Sequence, residues 1–186
     1  TNVIKQLYPD CKTLVDIGGE DAKMVFFTED LLPNMRMNGN CAGGTGAFID
    51  QMAVLLACEV KDLNDLALKS QYIHPIASRC GVFSKTDIQN LIARNVSKED
   101  IAASIFHAVA VQTVTSLSHG ADIVPKILFC GGPFAFIPAL KDAFVNYLHL
   151  TEDQYVVPEN ATIITALGTA LWENKDSQEM ALDSII

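Results

Sequence analysis

Residues 12–27 read KTLVDIGGEDAKMVFF, and this stretch decides the fold. Two short β-rich segments, residues 12–17 and 22–27, flank a tight turn at Gly18-Gly19, a pattern that predicts two neighbouring strands. A weaker third strand is predicted over residues 34–37. Connections this short favour antiparallel neighbours, because a parallel crossover needs roughly a dozen residues or more. The chain is therefore expected to begin its sheet with three antiparallel strands.

The pattern changes to a helical one after Thr45, which follows a glycine-rich loop and is predicted to cap a helix. One face of that helix is apolar: Phe48, Ile49, Met52, Leu55 and Leu56. Two Ser-x-x-Asp segments, at residues 84–87 and 97–100, resemble capping boxes with aspartate in place of the usual glutamate, and each predicts a helix start. The later helices are predicted over residues 62–68, 88–94 and 101–117.

Strands and helices alternate in the last third of the chain. Residues 126–130 are a buried-strand candidate, followed by Gly131-Gly132 and by Pro133 at a helix start. Residues 154–157 predict a last short strand, and Asn160 is expected to cap a final helix. The order is that of a ribonuclease-H-like domain, which is one half of the actin-like ATPase fold. The expected class is therefore α/β, with a mixed sheet of three antiparallel strands followed by strands alternating with helices.

The chain is expected to contain one such domain, since its 186 residues fit a single core. Residues 1–175 are predicted to form this ribonuclease-H-like domain, which corresponds to one half of an actin-like ATPase. A helical insertion is predicted at about residues 45–97. Residues 176–186 are predicted to be a loose tail.

The composition argues against several classes of partner. The formal net charge is −9 and lysines and arginines do not cluster, so neither nucleic acid nor an anionic membrane surface is an expected partner. Polar residues interrupt the apolar run at residues 101–117, and the first residues lack signal-peptide features, so the expected location is cytoplasmic. The five cysteines are irregularly spaced, which predicts reduced thiols rather than a disulfide framework.

Two glycine pairs follow predicted strands. Asp16 and the Gly18-Gly19 turn suit a site where backbone amides approach a phosphate while the carboxylate holds Mg²⁺ or orients water. Taken alone, this segment is more typical of a hairpin turn with an incidental aspartate. Gly131-Gly132 lies where α/β folds bind nucleotides, although an ordinary strand-to-helix turn explains it equally well. Two such turns in this element order favour a nucleotide site.

Cys41 and Cys80 occupy similar settings. Each lies in a loop shortly before a predicted helix, Cys41 within NGNCAGGTG (residues 38–46) and Cys80 within SRCGVFS (residues 78–84). The glycines free amides to point at one anionic group, and a helix N-terminus lowers a thiol pKa. Two thiolates cannot complete a four-thiolate cluster site, but a symmetric dimer supplies two more.

The competing interpretation of any cysteine here is packing as a buried small hydrophobe, which is the commoner fate of this residue. No Cys-x-x-Cys pair is present to suggest a self-contained zinc or ferredoxin site. The remaining cysteines are assigned to packing alone: Cys11, Cys58 and Cys130.

Several segments together carry a family resemblance. They are DIGGEDAK (residues 16–23), MNGNCAGGTGAF (37–48), SRCGVFS (78–84), GGP (131–133) and ALGTAL (166–171). In this order they resemble the signature segments of the activase ATPases of 2-hydroxyacyl-CoA dehydratases and benzoyl-CoA reductases. The two cysteine segments are the most specific part of the resemblance.

This resemblance implies an actin-like ATPase that forms a homodimer around one [4Fe-4S] cluster. ATP and Mg²⁺ would drive a conformational change that passes a low-potential electron to a 2-hydroxyacyl-CoA dehydratase or acyl-CoA reductase component. The resemblance implies Cys41 and Cys80 as cluster ligands and Asp16 as the catalytic residue. The nucleotide-binding residues that it implies are Gly18, Gly19, Glu20, Gly131 and Gly132.

Two departures from the family pattern matter. Glu20 and Gly43 stand where small activases usually have glutamine and alanine, and these variants look closer to large fused activases. The first phosphate loop of the family, an Asp-x-Gly-Ser/Thr-Thr segment, is not found upstream of Asp16. The resemblance therefore implies that residues 1–175 are the second, C-terminal ribonuclease-H-like half of an actin-like ATPase, in a fragment of a large fused activase. The parent protein is expected to be an ATPase, and the isolated fragment is expected to be inactive.

Other functions stay open at this point. The chain could be a non-catalytic dimerisation or regulatory module of a fused activase. It could also be a relative of sugar and acid kinases on the same fold, which leaves the two cysteine segments unexplained. A dimer that binds zinc through the same thiolates is a further alternative.

Overall fold

Five strands form one mixed sheet in the computed structural model, which describes residues 1–28, 33–39 and 42–172. The strands are β1 (Thr13–Ile17), β2 (Ala22–Phe27), β3 (Pro33–Met37), β4 (Ile127–Cys130) and β5 (Tyr155–Val156). In the order β3-β2-β1-β4-β5, the first three strands are antiparallel, whereas β4 is parallel to both β1 and β5. This confirms the predicted ribonuclease-H-like arrangement.

Helices cover both faces of the sheet. The described residues form α1 (Asn2–Leu7), α2 (Gly46–Leu55), α3 (Val60–Ala67), α4 (Gly81–Ala93), α5 (Lys98–Ser118), α6 (Gly132–Phe136), α7 (Pro138–Tyr147) and α8 (Ile164–Ala170). Helix α1 has no counterpart in the sequence-based prediction, because its six residues span fewer than two turns and show little periodicity.

The central strands β1 and β4 are buried on both faces of the sheet, and their alternate residues point to opposite sides. Val15, Ile17 and Phe129 pack into one core together with residues of α2, α3, α5 and α7. Leu14 and Leu128 pack into the opposite core with residues of α1 and α8. The alternation of β1 therefore places Asp16 on the same face as Leu14.

Helix α5 is the central helix of the larger core. The hydroxyl of Ser97 accepts a hydrogen bond from the amide of Asp100 at 3.2 Å, which confirms the predicted helix start. The helix is long and apolar enough to cross a membrane by length and composition alone. Its side chains are instead mostly buried against β2, β3 and the helices α3, α4 and α7.

Helix α4 begins earlier than the sequence predicts. It starts at Gly81, and the predicted capping box at residues 84–87 is wrong because both of its residues bond backwards along the chain. The hydroxyl of Ser84 donates to the carbonyls of Ala77 and Cys80, and the carboxylate of Asp87 accepts from the amide of Ala77 at 2.8 Å. These bonds secure the loop before the helix rather than a helix end.

Thr45 precedes α2 as predicted, but its side chain does not cap the helix. Its hydroxyl donates to the carbonyl of Ala42 instead of accepting a helix amide. The helix predicted over residues 62–68 begins slightly earlier, at Val60. The predicted tail, residues 176–186, lies outside the described residues.

Candidate functional site

The turn after β1 places Gly18 and Gly19 at the carboxyl end of the central strand. The amide of Gly18 donates to the carbonyl of Asp21 at 2.8 Å, which closes the hairpin between β1 and β2. A Cβ on Gly18 would lie 2.5 Å from Oδ1 of Asp21, whereas one on Gly19 would meet no atom within 4 Å. A side chain at position 18 would therefore displace the Asp21 carboxylate, while Gly19 and the exposed Glu20 face open space.

The first turn of α2 packs directly on these glycines. The amides of Gly46 and Ala47 donate to the carbonyls of Gly18 and Gly19 at 3.0 and 2.6 Å. A Cβ on Gly46 would lie 3.2 Å from the carbonyl oxygen of Gly18, so the close approach needs a glycine. The expectation that this loop frees its amides for an anionic group is wrong for these two amides, because the chain itself uses them.

Gly131 brings the turn after β4 against the end of β1. Its φ of +97° and ψ of 163° form a conformation that essentially only glycine adopts. A Cβ there would lie 2.0 Å from the carbonyl oxygen of Ile17 and 2.8 Å from Oδ1 of Asp16. The two predicted glycine turns therefore lie side by side, at the carboxyl ends of neighbouring parallel strands.

One pocket of about 780 Å³ lies between the two glycine turns. Gly19 lines it on one side and Gly132 on the other, and residues of α2, α3 and α7 contribute to its walls. Its volume falls in the range of small-molecule sites, roughly 300–1,000 Å³. The apolar side chains of the lining are Ile49, Val60, Pro133, Phe136, Ile137 and Pro138.

Polar side chains on α3 complete the pocket, and the sequence-based prediction missed them. Lys61, Asn64 and Asp65 all line it. Asn64 is buried: its Oδ1 accepts from the amide of Ala139 at 3.0 Å, and its Nδ2 donates to Oδ1 of Asp65 at 3.1 Å. An asparagine on the buried face of an amphipathic helix is the sequence signal that could have identified this wall.

Asp16 lies on the other side of the Gly131 turn and does not line the larger pocket. Its side chain is 16% exposed, and Nζ of Lys23 lies 3.8 Å from its Oδ2 and 2.6 Å from Oδ2 of Asp21. Burial raises the pKa of Asp16, and the Lys23 ammonium opposes that rise. Asp16 and Lys23 line a second pocket, of about 350 Å³, together with residues of α1 and α8.

Cys130 has a contact that the packing assignment did not include. It is paired with Asp16 across β1 and β4, which places its buried thiol beside the Asp16 carboxylate. Burial raises the pKa of this thiol, and the Asp16 carboxylate raises it further. Cys11 is also buried and Cys58 is half-buried, in agreement with a packing role.

Cys80 is the N-cap residue of α4 and is partly exposed. Because α4 begins at Gly81, Cys80 lies directly at a helix N-terminus, where the positive end of the macrodipole acts. The next two side chains, Val82 and Phe83, are 71% and 65% exposed. Cys80 therefore lies at a helix N-terminus and is followed closely in sequence by two exposed apolar side chains.

Cys41 lies outside the described residues, but the chain on both sides of it is described. Residues 38–39 and Gly43 line a pocket of about 190 Å³ together with Arg79, the neighbour of Cys80. The structure therefore brings the flanks of the two cysteine segments together. Within the described ranges, no three histidine, cysteine or acidic side chains are grouped to hold a metal ion.

Replacing Asp16 by asparagine should stabilise the folded chain at neutral pH. Because burial raises the pKa of Asp16, its ionised form costs folding free energy once the pH exceeds the ordinary aspartate value of 3.8. The amide of asparagine avoids this cost. In urea unfolding, the advantage of Asp16→Asn should grow as the pH rises through that value and disappear in acid. Asp50→Asn, at an exposed carboxylate, is the control and should change the stability little at any pH. If Asp16→Asn is less stable than the unmodified chain at neutral pH, the ionised Asp16 carboxylate does not cost folding free energy.

Comparison with known proteins gives consistent matches. The sequence model described as the BadF/BadG/BcrA/BcrD ATPase family matches residues 4–173. The (R)-2-hydroxyglutaryl-CoA dehydratase activating ATPase of Acidaminococcus fermentans is 35% identical over 126 residues, which are 68% of this chain and 48% of that protein. The 2-hydroxyisocaproyl-CoA dehydratase activator of Clostridioides difficile is 32% identical over 177 residues, 93% of this chain and 65% of that protein.

A solved structure supports the same fold. The activator of the 2-hydroxyisocaproyl-CoA dehydratase from Clostridium difficile, solved with bound ADPNP, superimposes with a TM-score of 0.78 at 31% identity. The match covers 91% of this chain and 62% of that one. The chain thus spans about half to two thirds of the length of these relatives.

Proposed function

Because the chain belongs to the BadF/BadG/BcrA/BcrD ATPase family, we propose that it is part of an ATP-dependent activator of a 2-hydroxyacyl-CoA dehydratase or related acyl-CoA reductase. In this proposal the activator delivers a low-potential electron from a [4Fe-4S] cluster to its partner enzyme. The observation that carries the proposal is the meeting of two glycine turns, Gly18-Gly19 and Gly131-Gly132, at one pocket of about 780 Å³.

The pocket suits an adenosine by size and by chemistry. Apolar side chains such as Ile49 and Phe136 offer a surface to a planar base, and Lys61 and Asp65 offer a donor and an acceptor to ring nitrogens or ribose hydroxyls. The burial and bonding of Asn64 support a rigid wall on this side. Phosphates bound next to the nucleoside would lie toward the glycine turns, where no side chain hinders approach to the backbone.

Asp16 is the residue proposed to hold the Mg²⁺ that accompanies the nucleotide. Mg²⁺ prefers carboxylate oxygens and water, and the carboxylates of Asp16 and Asp21 both lie within 4 Å of Lys23. A divalent cation bound by Asp16 would compete with the Lys23 ammonium, which lies 3.8 Å from Oδ2 of this carboxylate. When bound, Mg²⁺ supplies positive charge that balances the phosphates.

Cys80 fits a cluster ligand by position. Cys80 is the N-cap residue of α4 and is partly exposed, so a group bound at this helix N-terminus could reach its sulfur. Cys41 is proposed as the second ligand, and a second copy of the chain would supply the other two thiolates. When bound, a [4Fe-4S] cluster supplies a transferable electron at low potential.

The surface around Cys80 supports the proposed contact between subunits. Val82 and Phe83 on the first turn of α4 expose large apolar side chains beside the ligand. Met35 and Met37 on the edge strand β3 are 61% and 54% exposed, shortly before the Cys41 segment. Exposed apolar side chains of this size are typical of surfaces that bind another protein.

Replacing Gly19 by leucine should block the nucleotide without unfolding the chain. A side chain at Gly19 meets no protein atom within 4 Å and would extend into the pocket. We expect ATP to bind at least about tenfold more weakly, the equivalent of about 1.4 kcal/mol, with the free energy of unfolding unchanged within about 0.5 kcal/mol. Titration calorimetry on the complete protein with a non-hydrolysable ATP analogue, together with urea unfolding, measures both quantities.

Gly39→Leu is the matched control for this experiment. Gly39 also has open space at its Cβ but does not line the pocket between the glycine turns. This variant should bind the analogue as the unmodified protein does. If Gly19→Leu binds it equally well, the pocket is not the nucleotide site and the proposed function loses its main support.

A further inference from the structure

Two buried polar side chains on the core helix α5 face the segment that leads from Cys41 into α2. Gln112 is 5% exposed and Thr113 is 2% exposed. Polar side chains are costly inside a core unless they are bonded, and no buried side-chain nitrogen or oxygen in the described part of the chain lacks a partner. Gln112 and Thr113 therefore make polar contacts at positions where the core would otherwise hold apolar side chains.

The side chain of Gln112 occupies the space that a side chain at position 43 would need. A Cβ on Gly43 would lie 2.1 Å from Nε2 and 2.8 Å from Oε1 of Gln112. These distances are too short for any real contact, so a larger residue at position 43 would force the buried Gln112 side chain or the segment itself to move. The packing of Gln112 against the backbone at position 43 depends on both the length of its side chain and the absence of one at Gly43.

Thr113 contacts the next residue of the same segment. Its hydroxyl lies 3.5 Å from the carbonyl oxygen of Gly44, to which it donates. Gly44 has a φ of +83°, and a Cβ there would lie 2.8 Å from Oγ1 of Thr113. Two successive residues of α5 therefore contact two successive glycines, which seats the backbone of residues 43–44 directly on the core helix.

Gln112 also reaches the second cysteine segment. It lines the pocket of about 190 Å³ whose other lining residues include Gly43 and Arg79, two positions from Cys41 and one from Cys80. A single buried amide thus lies between the flanks of the two segments. Its position on a long, well-packed helix gives it a rigid support.

We propose that Gln112 is a positioning residue, which holds residues 42–45 against α5 and thereby sets the position of the cluster ligand that precedes them. The pair of Gln112 and Gly43 is matched in size, and Thr113 adds a second contact at Gly44. This inference rests on the proposed function for the identity of the bound group, but the contact itself belongs to the chain alone.

The decisive experiment compares Gly43→Ala with a double variant, Gly43→Ala with Gln112→Ala. The added methyl should displace the segment and lower the iron and sulfide content after anaerobic reconstitution by about fivefold. Shortening Gln112 removes the group that the methyl meets. The iron and sulfide content of the double variant should therefore be at least about twofold higher than that of Gly43→Ala. If the double variant binds no more iron and sulfide than Gly43→Ala, the two residues are not a matched pair.

A second measurement needs no cluster. In the cluster-free protein, the rate at which iodoacetamide alkylates Cys41 should rise at least about threefold in Gln112→Met, which keeps the side-chain length but removes the amide. The rate at Cys58, which follows the far end of α2, should not change. An unchanged rate at Cys41 would overturn the positioning role.

Ser104→Ala is the control for loss of a buried polar group on the same helix. Ser104 is fully buried and bonds to His74 and Asp100, away from residues 42–45. This variant should lower the free energy of unfolding without changing either the iron content or the Cys41 rate. If it changes them as Gln112→Met does, Gln112 acts only through stability. If the unmodified protein binds no cluster at all, the proposed function fails, while the alkylation rates still test the contact.

Discussion

A Cys80→Ser variant should take up no [4Fe-4S] cluster when the protein is reconstituted with iron and sulfide in the absence of oxygen. Thiolates are the ligands of such clusters, and a serine hydroxyl does not ionise at neutral pH to replace one. In a symmetric dimer the substitution removes two ligands of four, so the loss should be complete rather than partial. Visible absorption and the iron and sulfide content of each chain measure the result, and Cys41→Ser should behave in the same way.

Cys58→Ser is the matched control for this substitution. Cys58 is half-buried after the end of α2, and its thiol donates to the carbonyl of Ala53 at 3.6 Å. This variant should keep the full iron and sulfide content. Retention of the cluster by Cys80→Ser would show that the ligand assignment is wrong. Zinc in the purified protein, at about one ion for each dimer and in place of iron, would support the zinc alternative instead.

Gly131→Ala should remove most or all of the stability of the fold. Alanine at a φ of +97° and ψ of 163° lies in a region of backbone conformation that costs about 1–3 kcal/mol. Its Cβ would also lie 2.0 Å from the carbonyl oxygen of Ile17, so that β1 and β4 would have to separate. We expect the free energy of unfolding to fall by at least about 3 kcal/mol, measured by urea unfolding followed by circular dichroism.

Gly120→Ala separates the two causes of this loss. Gly120 also has a positive φ, +79°, but its Cβ would meet no atom within 4 Å. The substitution therefore carries backbone strain without a collision, and should cost only about 1 kcal/mol. A Gly131→Ala protein that is as stable as Gly120→Ala would mean that the β1 and β4 turns do not touch, and the pocket between them would lose its basis.

The strands and their order were predictable because the signals are local. The β-rich segments, the short turns between them and the Gly18-Gly19 and Gly131-Gly132 pairs are read from neighbouring residues, and hydrogen bonding between strands follows from the connection lengths. The Ser97 capping bond was predicted for the same reason. The similar pattern at Ser84 gave a wrong helix start, because Ser84 and Asp87 bond to Ala77 in the preceding loop instead of capping the helix.

The walls of the site were not predictable from local patterns. Lys61, Asn64 and Asp65 line the pocket only because α3 packs beside α5 and α7, and the bond from Ala139 to Asn64 joins residues 75 positions apart. The contact between residues 43–44 and helix α5 likewise joins residues 69 positions apart in sequence. Helical periodicity indicates which face of a helix is buried, but not which other element covers it.

Local sequence was enough to predict the fold class and the two glycine turns, and it identified the cysteine segments as candidate ligand loops. Packing decided the rest: that Gly19 and Gly132 share one pocket while Asp16 lines another, and that Cys80 itself begins a helix. The physical reason is that a short pattern specifies backbone conformation within a few residues. Distances between side chains of separate elements depend on how the whole core fills its space.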